Sequence, residues 1–251
     1  MVRSLLLEFC SCAYPGLVDW IASNVSFPNS MVDRITPAPS AAETAYVAEV
    51  LQSSDAVPVT CESYRQWVIE MVQTVKPYEK VKVRLLNAGH SALGYAGYLA
   101  GFSRIDEAAS DDAFRTYLLT FFREVALTLQ PPEGMDISAY QQSLLQRFAN
   151  PAIEDQILRI CKDGSAKIPG FILPTLRELL ESSSPCPCVS FVVAAYMAFV
   201  VKCGDGTEPL DDPERMKLEV LGRSCNGGEG AAATFLGEKS LFGDLAENAA
   251  L

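Results

Sequence analysis

The chain is expected to be mainly α-helical, with a short strand-containing segment near its N-terminus and no Rossmann domain. Three observations carry this. Beyond Pro77, apolar residues recur at helical spacing in blocks bounded by Pro, Gly or Asp. Between residues 24 and 69, Pro28, Pro37, Pro39 and Pro58 interrupt any long helix, and β-branched and aromatic residues accumulate. No G-x-G-x-x-G follows a strand pattern anywhere, so the dinucleotide-binding fingerprint is missing. At 251 residues and 49% hydrophobic composition, the chain can bury a substantial core.

The elements follow in order. Residues 4–23 read as a helix broken near Pro15-Gly16, with Leu5, Leu6, Phe9, Leu17, Trp20 and Ile21 on its apolar side. Met31 to Thr36 reads as extended, Thr44 to Gln52 as helical, and Val57 to Ile69 as short strands. Lys80 to Phe102 is one helix, bent near Gly94, Gly97 and Gly101, whose side-chain-free stripe leaves room for a backbone or a small polar ligand. Asp111 to Leu129 is amphipathic, starting on an aspartate and stopping at Pro131-Pro132. Ser138 to Phe148, Ala152 to Lys162, Pro174 to Ser182, Cys188 to Cys203 and Asp212 to Gly222 complete a helical array. Gly227-Gly228-Glu229-Gly230 is a loop, since no strand precedes it and no Gly-Lys-Ser/Thr follows.

Composition excludes several classes of function. The net charge of −11 offers no basic run that would follow a phosphate backbone, so nucleic acid is not a partner. Eight cysteines stand as two C-x-C pairs, Cys10/Cys12 and Cys186/Cys188, plus four scattered residues. With a single histidine they give no zinc-ligand spacing, and they read as reduced thiols of a cytoplasmic protein without a metal. Glu8 interrupts the leucine run at the N-terminus, which argues against a secretion signal. The apolar Cys188–Cys203 stretch falls short of the ~20 residues that span a bilayer, so no membrane association is expected.

Chemistry concentrates at the single histidine. In Lys82-x4-Asn87-x2-His90, an amine, an amide and an imidazole fall within an arc of about 140° at 100° per residue. Val81, Val83, Leu85, Leu86, Leu93 and Tyr95 surround them, so these polar groups need partners. A lysine so held has its ammonium form disfavoured and suits a general base. A surface lysine, a helix-interior asparagine and a satisfied core histidine give the alternative reading. A second group, Arg159 and Lys167, lies eight residues apart, and the turn Asp163-Gly164-Ser165 folds Lys167 back towards Arg159. Both then face a hydroxylated or carboxylated substrate, or else they are cations complementing a helix C-terminus. In the third, Asp33 and Arg34 are adjacent in an extended segment and point to opposite sides.

Together these stretches resemble the long-chain mannitol dehydrogenase family of polyol-specific secondary-alcohol dehydrogenases. Phe27-Pro-Asn-Ser-Met-Val-Asp-Arg-Ile-Thr-Pro37 is similar to its signature, and Gln66-Trp67-Val68-Ile69-Glu70 to its next block. Pro77-Tyr78-Glu79, Arg147-Phe-Ala-Asn-Pro151, Asp163-Gly-Ser165, Lys167-Ile-Pro169 and Phe242-Gly-Asp-Leu245 continue the likeness over nearly the whole chain. Between Glu70 and Pro77 the family has a longer insert with a Gly-Arg-Pro turn, where this chain has only Met71 to Lys76.

The resemblance implies a multi-helical domain like the C-terminal domain of 6-phosphogluconate dehydrogenase over residues 25–251, with residues 1–24 a helix left over from a nucleotide-binding domain. It implies that Lys82 takes the hydroxyl proton while hydride leaves the same carbon, and that Asn87 and His90 hold the oxygen. Arg159 and Lys167 match substrate-pocket positions, Asp33 is a pocket neighbour, and Glu79 relays protons to Lys82. The implied substrate is a polyol or sugar acid (mannitol to fructose, or fructuronate to mannonate). The implied cofactor is NAD or NADP, held mainly by an N-terminal nucleotide-binding partner domain, with no metal. The chain then reads as a C-terminal half, inactive in isolation. Three alternatives compete with it: a degenerate helical module, a subunit of a split enzyme, and a lysine-dependent lyase or isomerase.

Overall fold

The computed structural model describes residues 2–69, 74–204, 206, 210–225 and 230–247. Helices dominate it. Helices α1 (Val2–Ala13) and α2 (Val18–Asn24) flank a 3-10 turn, Pro15–Leu17, where proline and glycine interrupt the hydrogen-bond ladder. Their apolar side is not core: Leu5, Phe9, Leu17 and Trp20 are exposed, while Cys10 and Ile21 are buried.

Strand β1 (Ser30–Asp33) pairs antiparallel with β2 (Gln66–Ile69), Val32 opposite Trp67. Both are shorter than expected. Pro37 and Pro39 end the first, and most of the Val57 to Ile69 run is irregular. Helix α3 (Ala41–Leu51) lies between them and begins earlier than the pattern suggests, because Ser40 and Glu43 form a reciprocal capping box. Glu70 and Met71 to Gln73, in the short connection, lie outside the described residues, as do Gly227 to Glu229.

The expected single helix from Lys80 to Phe102 is three pieces. α4 (Lys76–Lys82) runs into a π-helical turn, Val83–Asn87, and then α5 (Ala88–Leu99). The irregularity therefore sits ahead of the glycines. Nine of the twelve α5 residues are buried, which makes it the central helix. Around it pack α6 (Ile105–Ser110), α7 (Asp112–Ala126), α9 (Ile157–Cys161) and α12 (Pro187–Cys203). The glycine stripe is filled by protein: a Cβ at Gly94 would stand 2.8 Å from Ile160 Cγ2, and one at Gly97 2.9 Å from Ile157 Cδ1. Gly101 lies past the helix end with φ +90°.

The remaining elements close the core. α8 (Ile137–Phe148) is capped by Asp136, and α7 by Asp111, whose carboxylate accepts from the Ala113 and Phe114 amides. α10 (Gly164–Lys167) leads through a second π-turn, Ile168–Ile172, into α11 (Leu173–Glu181). α13 (Arg215–Ser224), α14 (Ala231–Leu236) and α15 (Lys239–Phe242) follow. Tyr95, Phe121, Phe122, Tyr196, Phe199, Phe235 and Phe242 form the buried aromatic centre. No helix of the described residues is long and apolar enough to cross a membrane.

Helices α12 and α13 touch backbone to backbone, since a Cβ at Gly222 would lie 2.5 Å from the Val200 carbonyl oxygen. Gly222→Ala gains about 1 kcal/mol of helix propensity. Overpacking against an immovable carbonyl costs about 1–3 kcal/mol. Net destabilisation is expected, read as a lower urea midpoint at unchanged slope. A raised midpoint would show that the helices part freely.

Candidate active site

Lys82 closes α4, Asn87 closes the π-turn and His90 lies in the first turn of α5, each half-buried. The π-turn changes their phase. The Ala88 amide donates five residues back to the Val83 carbonyl, and such a turn advances roughly 80° per residue instead of 100°. Asn87 then stands about 40° from Lys82, and His90 about 20° to the other side. The arc tightens from about 140° to about 60°, so the three groups share one helical face more closely than a regular helix allows.

Lys82 and His90 are held differently. The Lys82 amino group donates to the Val32 carbonyl oxygen of β1 at 2.5 Å. The His90 ring stacks on Phe148, centroids 4.3 Å apart. His90 also lines a narrow cleft with Arg147, Asn150, Asp106 and Asp155. Glu79 is exposed on α4, three residues ahead of Lys82 and so on a neighbouring part of the same face.

Burial, reinforced by Arg159, Arg147 and Lys167, pushes the His90 imidazole down to about 3. His90 is therefore neutral near pH 7, with one N–H donor and one acceptor nitrogen. Between about 6.5 and the folded value the unfolded chain binds a proton that the folded chain refuses, so stability falls as pH drops through that window. The single histidine gives one Cε1–H signal by NMR, expected not to titrate above pH ~5. A midpoint near the ordinary histidine value would contradict this burial.

The turn at Asp163, φ +55°, folds Lys167 back so that its amino group donates to the Ile160 carbonyl at 3.0 Å. Gly164 permits it, since a Cβ there would meet Tyr196 Cε2 at 2.6 Å and the Tyr95 hydroxyl at 2.8 Å. Burial lowers the Lys167 pKa, with nearby Arg159 adding to the effect and Asp163 opposing it. Arg159 is forked onto Asp155 through bonds of 2.7 and 2.5 Å. Both cations stand close enough to His90 to depress it.

Asp33 stands one hydrogen bond behind the cleft that His90 lines, held by Arg147. It is fully buried, at 0% exposure, and both oxygens are engaged. Arg147 donates to Oδ1 at 2.7 Å and the Tyr140 hydroxyl to Oδ2 at 2.5 Å. Of the rest of this network the sequence marks Arg147, in the Arg147–Pro151 stretch, but not Glu62, Tyr64 or Tyr140. Arg147 also binds Glu62 at 2.7 Å and lies 4.0 Å over the Tyr64 ring. Glu62 in turn accepts from the Ile35 amide at 2.7 Å. Glu62 sits alone in an irregular stretch, 85 residues from Arg147, and no periodic signal marks it.

Among the described residues, no group of three or more His, Cys, Asp or Glu side chains is disposed to hold a metal ion. A dinucleotide pyrophosphate calls for a glycine-rich turn between a strand and a helix N-terminus. Among the described residues the strands form one antiparallel pair, with no glycine-rich turn between a strand and a helix.

Residues 74–251 match the family model of the mannitol dehydrogenase C-terminal domain. Residues 2–82 match that of the mannitol dehydrogenase Rossmann domain. The second match corrects the expectation that a Rossmann domain is absent. That expectation rested on the glycine fingerprint, which marks the first strand-to-helix turn of such a domain and says nothing of its other parts.

A mannitol 2-dehydrogenase of Phaeosphaeria nodorum is 37% identical over 264 residues, covering 96% of this chain and 45% of the relative. One from Aspergillus fumigatus is 36% identical over 268 residues, covering 99% and 53%. Among solved structures, the ternary complex of Pseudomonas fluorescens mannitol 2-dehydrogenase with NAD and D-mannitol superposes with a TM-score of 0.78 at 33% identity, covering 96% of this chain and 52% of that one. A substrate-free D-sorbitol dehydrogenase gives 0.74 at 27%, covering 96% and 58%. The chain spans about half the length of the curated relatives it matches.

Proposed function

Because the chain belongs to the mannitol dehydrogenase family, we propose that it carries the proton-transfer and substrate-binding residues of an NAD-dependent polyol 2-dehydrogenase. The observation that carries this reading is the π-turn, which brings an amine, an amide and a neutral imidazole onto one face.

Lys82 is the base. A neutral amine has two N–H bonds and one lone pair; donating one N–H to Val32 fixes the nitrogen and leaves the lone pair to accept the hydroxyl proton of the substrate. The Asn87 amide and the His90 N–H donate to the oxygen as it becomes a carbonyl, and neutral His90 does so without competing for the proton. Glu79, exposed three residues away, passes the proton from Lys82 to solvent. Arg159 and Lys167 bind outer hydroxyls, and Asp33 acts through Arg147. NAD is proposed as the hydride acceptor from the Pseudomonas fluorescens complex, and the steps argued from this chain concern only the proton and the oxygen.

Charge favours a neutral polyol over a sugar acid. Arg147 is neutralised by Asp33 and Glu62, and Arg159 by Asp155. A carboxylate would have to compete with these buried anions for either guanidinium, and burial disfavours the charged form of Lys167, which donates to the Ile160 carbonyl. The test is a comparison of mannitol and mannonate as substrates for NAD reduction, by the chain alone and with the remaining portion of a relative supplied. Mannitol is expected to be preferred by about a hundredfold or more in kcat/KM. Preference for mannonate would overturn the neutral-substrate reading, and oxidation of neither would overturn the proposal.

A further inference from the structure

The π-turn is an irregular segment in the middle of a long helical run, and nothing in its own sequence enforces it: Val83, Arg84, Leu85, Leu86 and Asn87 include neither proline nor glycine. π-Turns are rare and give way to regular helix unless tertiary contacts hold them. One residue of this turn makes strong tertiary bonds. Arg84 is 6% exposed. Its Nη1 donates to Glu178 Oε2 at 2.7 Å and its Nη2 to Oε1 at 2.5 Å, a fork-to-fork pair. Nη1 also reaches the Thr128 carbonyl at 3.4 Å, and Lys80 contacts Glu178 at 3.4 Å.

Glu178 belongs to α11, which grows out of the second π-turn, and that turn begins directly after Lys167. The two π-turns pack against each other. The Arg84–Glu178 pair therefore joins the helical run bearing Lys82, Asn87 and His90 to the run bearing Lys167. Two residues beyond Lys82, Arg84 projects about 160–200° away from it, so it does not share the site face.

We propose that Arg84 and Glu178 are positioning residues: their ion pair holds the Val83–Asn87 segment in its π register, and that register sets the angle between Lys82 and the Asn87–His90 pair. If the turn reverted to α-helix, Asn87 would swing about 100° away from Lys82. The proposal rests on the polyol dehydrogenase reading for its catalytic meaning, but its structural content is tested separately.

The 251-residue chain is compared with its Glu178→Gln and Glu178→Ala variants. Glu178 is 41% exposed in its side chain, and the glutamine keeps its shape. Amide exchange at Ala88, the donor that closes the π-turn, is expected to accelerate at least tenfold. The single His90 ring signal is expected to shift, while amides of α12 keep their rates. In mannitol oxidation, kcat is expected to fall about tenfold or more with KM little changed, and Glu178→Asp, which retains the charge, to restore most of it. An unchanged Ala88 amide and an unchanged His90 signal in Glu178→Ala would overturn the proposal. Equal acceleration throughout α12 would also overturn it, since the pair would then support the whole fold and not this register. Release of the turn in a chain whose parent oxidises no polyol would leave the ion-pair inference standing and remove the dehydrogenase reading instead.

Discussion

Lys82→Ala is expected to reduce kcat for polyol oxidation by about a hundred- to ten-thousandfold, the range for loss of a positioned general base. KM should change far less. The lysine already has a protein acceptor in the Val32 carbonyl, so substrate binding depends on it weakly, whereas proton removal depends on it in the transition state. The loss should be largest near neutral pH and shrink as hydroxide takes over the proton at high pH. Equal losses in kcat and in substrate affinity would assign Lys82 to binding. The assay is initial-rate NAD reduction against mannitol, with circular dichroism to confirm that the variant is folded.

Arg147→Met is expected to destabilise the fold by about 3–5 kcal/mol, the cost of leaving buried charge without its partner. Asp33 and Glu62 are 0% and 4% exposed, and Arg147 forks onto both. The Tyr140 hydroxyl and the Ile35 amide still donate to them in the variant. Two hydrogen bonds do not neutralise two buried carboxylates. Urea unfolding of the variant and the parent chain checks the loss. A loss below about 1 kcal/mol would mean that water reaches the network and screens it.

The helical majority is legible because its signals are local. Asp111 and Asp136 announce helix starts, and the apolar spacing of Cys188–Cys203 announces a buried helix, which the structure has as α12. The Lys82, Asn87 and His90 spacing is also local, and it supplies the candidate site. What stayed hidden depends on contacts distant in sequence. The π-turn leaves no mark in Val83–Asn87 because it is held from α11, 94 residues away at Glu178. Glu62 joins Arg147 across 85 residues. The glycine stripe suggested space, yet space beside a glycine is filled by whatever packs there, here Ile157 and Ile160. The missing fingerprint suggested a missing Rossmann domain, whereas residues 2–82 match the family model of one.

If the Lys82 amine itself accepts the substrate proton, chemical rescue should reveal it. In Lys82→Ala, the vacated side chain leaves room for a small primary amine beside the Val32 carbonyl. Added amines are expected to restore mannitol oxidation in proportion to their concentration, and more strongly as their basicity rises among amines of equal size. If a folded Lys82→Ala enzyme that still binds mannitol gains nothing from any amine, at any basicity, Lys82 is not the base.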